Sequence, residues 1–160
     1  MSSGVEIERK FLVDSVPSGL DTHPSAQIDQ GYIALTEDGV EVRIRHYGSS
    51  AVLTVKSSGT RERVEEEIEI GEQRFRALWP LTEGRRIRKR RYRIPAGHGI
   101  TIELDVYADA LDGLLTAEVE FDSPEAADAF APPEWLGSEV TDDPRYKNKR
   151  LAVDGLPASR

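Results

Sequence analysis

Apolar and charged residues take turns through Val5-Glu6-Ile7-Glu8-Arg9-Lys10-Phe11. The same period of two runs through 40–45, 52–56, 64–70, 100–106 and 117–121. Successive side chains of a strand point to opposite faces, so this period predicts strands. Residues 30–35 and the basic stretch 87–94 read as two more, giving about eight. The intervening stretches 17–25, 48–51, 95–99 and 132–138 are short and rich in Gly, Pro or Ser, as connections are. Helical stretches are few. Residues 72–79 suit one that stops before Pro80. Ser123-Pro124-Glu125 reads as an N-cap, a first-turn proline and an acidic first turn, opening a helix through Phe130. Asp143-Pro144 opens another that runs through Tyr146 to Val153. The expected fold is mainly β, with residues 1–160 forming one domain. The strand spacing suits an antiparallel sheet that curls or closes.

Residues two apart in a strand share a face. Glu6, Glu8 and Lys10 therefore stand opposite Val5, Ile7 and Phe11. Arg43 and Arg45 stand opposite Val42 and Ile44, and Lys56 opposite Val55. Glu65, Glu67 and Glu69 share a side, as do Glu103 with Asp105, Glu118 with Glu120, and Lys89 with Arg91. Ile87 shares the parity of Lys89 and Arg91 and weakens the pattern of that strand. Two readings are open. The plain one is a half-buried sheet with a solvated face on which opposite charges pair across strands. The sharper one turns the charged face inward around a wet lumen, which then needs guests to compensate its charges. Carboxylates suit hard cations such as Mg²⁺ or Mn²⁺, and Lys and Arg suit phosphate oxygens. A lumen holding both matches a metal–polyphosphate complex. Its apolar parity would face outward, with helices and a second subunit as candidates to cover it.

Composition narrows the choice. Charged residues make up 31% of the chain, above the roughly 25% of ordinary soluble domains. The net charge of -8 disfavours a duplex nucleic-acid binder, which needs a dominant basic face. Without cysteine there are no disulfides, thiolate metal sites or cysteine nucleophiles. No apolar run approaches a membrane span, and no apolar signal core follows Met1, so a cytoplasmic location is expected.

The same residues resemble a known family. Glu6-Ile7-Glu8-Arg9-Lys10 is similar to the N-terminal ExExK motif of the CYTH superfamily, the triphosphate tunnel metalloenzymes. The ordered remainder fits: Gln30-Gly31-Tyr32, Arg43-Ile44-Arg45, Thr54-Val55-Lys56, Glu65-Glu66-Glu67, Lys89-Arg90-Arg91, Glu103-Leu104-Asp105, Glu118-Val119-Glu120 and Tyr146-Lys147-Asn148. The resemblance covers residues 5–153. It implies a closed, eight-stranded antiparallel tunnel with a charged lumen, and a metal-dependent hydrolase of triphosphates. It implies that Glu6, Glu8, Glu118 and Glu120 bind Mg²⁺ or Mn²⁺, and that Glu103 and Asp105 either support the metal site or hold nearby bases. Lys10, Arg43, Arg45, Lys56, Lys89, Arg91 and, on a helix, Lys147 resemble phosphate binders. Glu65 and Glu67 resemble acids that orient arginines. Tyr32 with Lys10 resembles the Tyr–Lys arrangement of small bacterial triphosphatases, and Glu118 or Glu120 would activate water.

Inorganic triphosphate is the expected substrate. Class IV adenylate cyclase-like or thiamine triphosphatase activity, and a non-catalytic polyphosphate-binding module, are the alternatives. The run from Arg85 to Arg91 also matches a nucleic-acid patch, but the strand context argues for solvated outward arginines. His23, His46 and His98 adjoin loops, and Trp79 and Trp135 read as packing residues. Residues 134–143 read as a mobile acidic loop with no assigned role.

Overall fold

A computed structural model describes residues 7–58 and 64–158. Eight strands follow one another: β1 (Ile7–Leu12), β2 (Ser25–Leu35), β3 (Glu41–Tyr47), β4 (Ser50–Lys56), β5 (Glu65–Glu69), β6 (Arg86–Pro95), β7 (Thr101–Tyr107) and β8 (Leu115–Phe121). Helix α1 (Gly71–Leu78) lies between β5 and β6, and α2 (Pro124–Ala129) and α3 (Asn148–Asp154) follow β8. All seven strand pairings are antiparallel, in the order β1-β8-β7-β6-β2-β3-β4-β5.

The expected strands are all present, with one difference in a strand and one in a helix. β2 starts at Ser25, because 25–29 pair with Arg88 to Tyr92 of β6; Ser-Ala-Gln offers little apolar alternation to signal it. The expected helix from Pro144 is broken. A 3-10 turn covers Pro144–Tyr146, Lys147 is extended at ψ 143°, and α3 starts at Asn148.

The outer, apolar face of the sheet is covered by the chain itself. Phe11, Ile102, Leu104, Ala117, Val119 and Phe121 pack beneath α2 and Leu136. Ile44 and Ala51 pack against Phe75 of α1. Just after α1, the turn at Trp79–Thr82 sits so close to β2 that a Cβ on Gly31 would come 2.5 Å from Thr82. Val64, just before β5, and Ile68 of β5 stay exposed.

One end of the inner face is apolar too. Leu12, Tyr32, Ile87 and Tyr107, all on the inner parity, are buried against Val140, Tyr146, Leu151 and Ala152. The C-terminal segment thus plugs that end, and Ile87 breaks the charged pattern of β6 because it faces the plug.

Among the described residues the sheet curls without a ladder that closes it, so the closed barrel expected from the sequence is not confirmed. β1 and β5 are its two ends, and no ladder joins them among the described residues. The backbone edge of β1 is already taken. Leu12 N–H donates to Ser138 O at 2.8 Å, Gly137 N–H to Leu12 O at 2.7 Å, and Val140 N–H to Lys10 O at 2.8 Å. The stretch expected to be a loop at 132–138 and an acidic loop beyond it therefore supplies a strand-like edge piece, bridged at Phe11 and Glu139. β5 is left as a short, fully exposed edge. Among the described residues, no helix is long and apolar enough to cross a membrane.

Candidate active site

All eight strands send side chains into one cavity of about 480 Å³. Glu8 and Lys10 come from β1, Tyr32 from β2, Arg43 and Arg45 from β3, and Lys56 from β4. Glu65 and Glu67 come from β5, Arg91 from β6, Glu103 from β7, and Glu118 and Glu120 from β8. Lys147, ahead of α3, lines the cavity too. Curling brings the acids of β1 and β8 round to face the bases of β3 and β4, far apart in sheet order.

The acidic wall is built by register. Glu8 is the direct partner of Glu120, Lys10 of Glu118, and Glu118 of Glu103. Directly opposed side chains of an antiparallel pair have Cβ atoms roughly 5 Å apart, where like charges destabilise. Lys10 relieves the lower part of the wall. Its ammonium lies 3.6 Å from Glu118 and donates to the Tyr146 carbonyl, while its backbone N–H donates to Thr141 Oγ1 at 3.0 Å.

The basic wall is short of partners. Among the described residues, Arg43 Nε and Arg45 Nε are buried and make no hydrogen bond. Burial, with help from the Arg43 and Arg91 charges, lowers the affinity of Arg45 for its proton, while Glu67 opposes the shift. Buried donors are nearly always satisfied, so this pair is set for an acceptor that the chain does not supply. Lys56 lies 3.5 Å from Glu65, and Thr54 donates to Glu67 at 3.2 Å. Glu65 and Glu67 thus sit beside the bases of β3 and β4. Tyr32 is buried, accepts from Gln30 Nε2 at 3.3 Å, and has its phenol pKa raised chiefly by burial.

Two expected residues lie elsewhere. Lys89 and Asp105 have the inner parity but do not line the cavity. Their side chains are 2% and 0% exposed, with Lys89 Nζ 2.8 Å from Asp105 Oδ2. Arg91 covers them, donating from Nε to Oδ1 at 2.8 Å and from Nη2 to Oδ2 at 2.9 Å. Burial alone would raise the Asp105 pKa, but Lys89 and Arg91 outweigh it and bring it to about 2. Burial lowers the Lys89 pKa against the pull of Asp105. With both its oxygens engaged, Asp105 does not fit a metal ligand, and Lys89 does not reach a phosphate in the cavity. Glu103 does line it, and is held by Arg93 at 2.8 Å and Arg91 at 3.5 Å. Glu6 lies outside the described residues.

Sequence reasoning missed several lining residues. Glu41 has the parity of Arg43 and Arg45, a signal that was there to be read, and pairs with Lys149 at 3.2 Å. Thr141, Asp143, Asn148 and Lys149 reach the cavity only because 137–140 docks on β1 and the plug follows. The outward arginines are held by the chain: Arg86 by Thr82 and Trp79, Arg88 by Asp29, and Arg90 by Ser25.

The donor set suits a divalent cation. Glu8, Glu118 and Glu120 offer hard oxygen donors, and Glu8 and Glu120 are opposed closely enough for one cation to engage both. No three acids or histidines among the described residues are grouped tightly enough to hold a metal alone. That matches the habit of Mg²⁺, which takes one or two carboxylates and completes its sphere with water and substrate phosphates.

Known proteins agree with this geometry. The model of the CYTH domain matches residues 4–145. An inorganic triphosphatase of Nitrosomonas europaea is 49% identical over 148 residues, covering 92% of this chain and 97% of the relative. One from Acetivibrio thermocellus is 37% identical over 155 residues, covering 92% and 93%. A crystal structure of an inorganic triphosphatase superposes with a TM-score of 0.77 at 48% identity, covering 92% of this chain and 97% of that one. A family match over most of the chain and relatives of this likeness place the chain in the CYTH family.

Proposed function

We propose that this protein hydrolyses inorganic triphosphate to pyrophosphate and phosphate with a divalent cation, Mg²⁺ or Mn²⁺. The observation that carries the reading is the pair of buried guanidinium Nε donors of Arg43 and Arg45, without partners among the described residues, facing a wall of carboxylates in the same cavity. A triphosphate chain satisfies both walls, its oxygens taking the arginines and its bound cation taking the acids. Inorganic triphosphatase is also the name carried by both relatives.

Arg43, Arg45, Lys56, Arg91 and Lys147 hold and straighten the phosphate chain. Glu65 and Glu67 steady the bases of β3 and β4. Glu8, Glu118 and Glu120 would hold the cation, with Glu103 behind Arg91 and Arg93. The cation, when bound, neutralises charge building on the phosphate oxygens. Water attacks a terminal phosphorus in line, the P–O–P bond breaks, and pyrophosphate leaves. Glu118 or Glu120 takes the proton of the water, and Lys10, with Tyr32 on the same cavity wall, stabilises the oxygen charge.

The lining favours an inorganic substrate. Apart from Tyr32, Val140 and Tyr146, it is charged or polar, leaving little apolar surface for a nucleobase or a thiazole ring. Adenylate cyclase-like and thiamine triphosphatase activities, and binding without turnover, are the competing readings. The test is phosphate release from inorganic triphosphate, ATP, thiamine triphosphate and pyrophosphate, each with Mg²⁺, Mn²⁺ or chelator. Metal-dependent release that is fastest with inorganic triphosphate is expected. No release from any of them would overturn the reading.

A further inference from the structure

On the inner face of β6 and β7, Arg91 stands opposite Asp105, and Lys89 stands opposite Tyr107. Two cations therefore converge on one carboxylate. Lys89 reaches it from within the wall at 2.8 Å. Arg91 reaches it from the cavity side through Nε and Nη2, at 2.8 and 2.9 Å. Only Arg91 lines the cavity. With Lys89 2% and Asp105 0% exposed, a phosphate cannot touch either unless the wall opens.

This arrangement does two things for Arg91. The two parallel hydrogen bonds to Asp105 fix the plane of the guanidinium, the forked geometry that arginine and not lysine provides. A lone carboxylate would also cancel the charge it orients, leaving a neutral pair with little attraction for an anion. Lys89 cancels Asp105 instead. Arg91 also lies 3.5 Å from Glu103, but Arg93 holds that acid more closely, at 2.8 Å. Three positive charges (Lys89, Arg91, Arg93) and two negative (Asp105, Glu103) leave the group with one net positive charge, and the guanidinium of Arg91 is where that charge meets the cavity. Tyr107 lies beside Lys89, its ring centroid 5.4 Å from the ammonium.

We infer that Asp105 and Lys89 are positioning residues for triphosphate binding. Asp105 aims Arg91, and Lys89, from inside the wall, keeps the Arg91 charge available to a phosphate without contacting it. The inference rests on the reading that the cavity takes triphosphate. It separates from the alternative, in which Lys89 is itself a phosphate ligand, when both buried charges are removed together.

Three proteins are compared: wild type, K89M and K89M/D105N. Inorganic triphosphate is titrated calorimetrically into each in chelator, where no turnover occurs, and KM and kcat are measured separately with Mg²⁺. K89M leaves Arg91 neutralised by Asp105, and affinity should fall about tenfold, as expected for one lost charge interaction of roughly 1.4 kcal/mol. K89M/D105N frees the Arg91 charge again, and affinity should return to within about threefold of wild type, with KM following. A double variant as weak as K89M, or a K89M that binds like wild type, overturns the inference while leaving the functional reading intact. Wild type that binds no triphosphate overturns both. If K89M does not fold, nitrogen-15 spectra of the unaltered protein decide. Triphosphate should shift the Arg91 guanidinium signals and leave the Lys89 ammonium signal in place. A Lys89 shift as large as that of Arg91 means direct contact and overturns the inference.

Discussion

Glu8 and Glu120 are direct partners across the β1–β8 ladder, with both side chains in the cavity. A divalent cation placed there would engage both carboxylates. Mg²⁺ should therefore raise the melting temperature of wild type by mass action. Glu120→Gln should shrink that rise and lower turnover about a hundredfold at limiting Mg²⁺, with partial recovery at high Mg²⁺. Melting curves and rates across a metal titration check this. Full activity of E120Q at limiting metal would remove Glu120 from the site.

Arg45 tests the basic wall. Its Nε is buried without a hydrogen-bond partner among the described residues, so a phosphate oxygen is its expected acceptor. Arg45→Lys keeps a charge but loses the forked donor. A hydrogen bond involving charge is worth about 1.5–3 kcal/mol, so KM should rise roughly ten- to hundredfold. Lys should not rescue here as it would at a point-charge site. A KM within error of wild type would mean that Arg45 only packs.

Much of this was legible in the sequence, because strand parity fixes which residues share a face and the inner face is charged. Glu8, Lys10, Arg43, Arg45, Lys56, Glu118 and Glu120 could be placed that way. What parity cannot show is depth along the lumen. Lys89 and Arg91 have one parity, yet Lys89 lies beneath and Arg91 lines the cavity, because Ile87 and Tyr107 beside Lys89 pack against the plug. Nor does parity show what docks on an edge. Residues 137–140 have no strand-like alternation, and their pairing with β1 depends on the backbone of Lys10 and Leu12, which any sequence shares. Among the described residues, that pairing occupies the β1 edge that a closed barrel would use.

Asp105 gives the pH dependence. Its pKa in the folded protein is lowered to about 2, below the ordinary carboxylate value. The stabilisation is therefore fully present above about pH 4 and is lost as pH falls through about 2. Its size is on the order of 2 kcal/mol. Chemical denaturation between pH 7 and pH 2 should show wild type losing this contribution over the lower half of the range. K89M/D105N should show a flatter profile there. An equally steep fall in the double variant would assign the acid sensitivity to other carboxylates.

Gly137 is where the edge pairing can be broken with one methyl group. Its N–H donates to Leu12 O at 2.7 Å, and a Cβ there would sit 2.8 Å from that same oxygen. The neighbour is backbone inside a strand, so it cannot swing aside as a long side chain would. Gly137→Ala should push 137–140 away from β1 and weaken the Leu12 and Lys10 hydrogen bonds together. The expected loss is about 1–3 kcal/mol of stability, the usual range for a forced backbone shift. The functional effect follows from Lys10, whose backbone pairs with Val140 and Thr141 and whose ammonium donates to the Tyr146 carbonyl. Once the segment lifts, Lys10 loses its hold on that side, so kcat should fall more than KM rises. Amide exchange reads the local step: Leu12 and Val140 should lose protection in G137A, while Ile44 and Leu53, on the β3–β4 pair, should keep theirs. If Leu12 and Val140 stay protected and kcat is unchanged, the segment does not hold Lys10 in place.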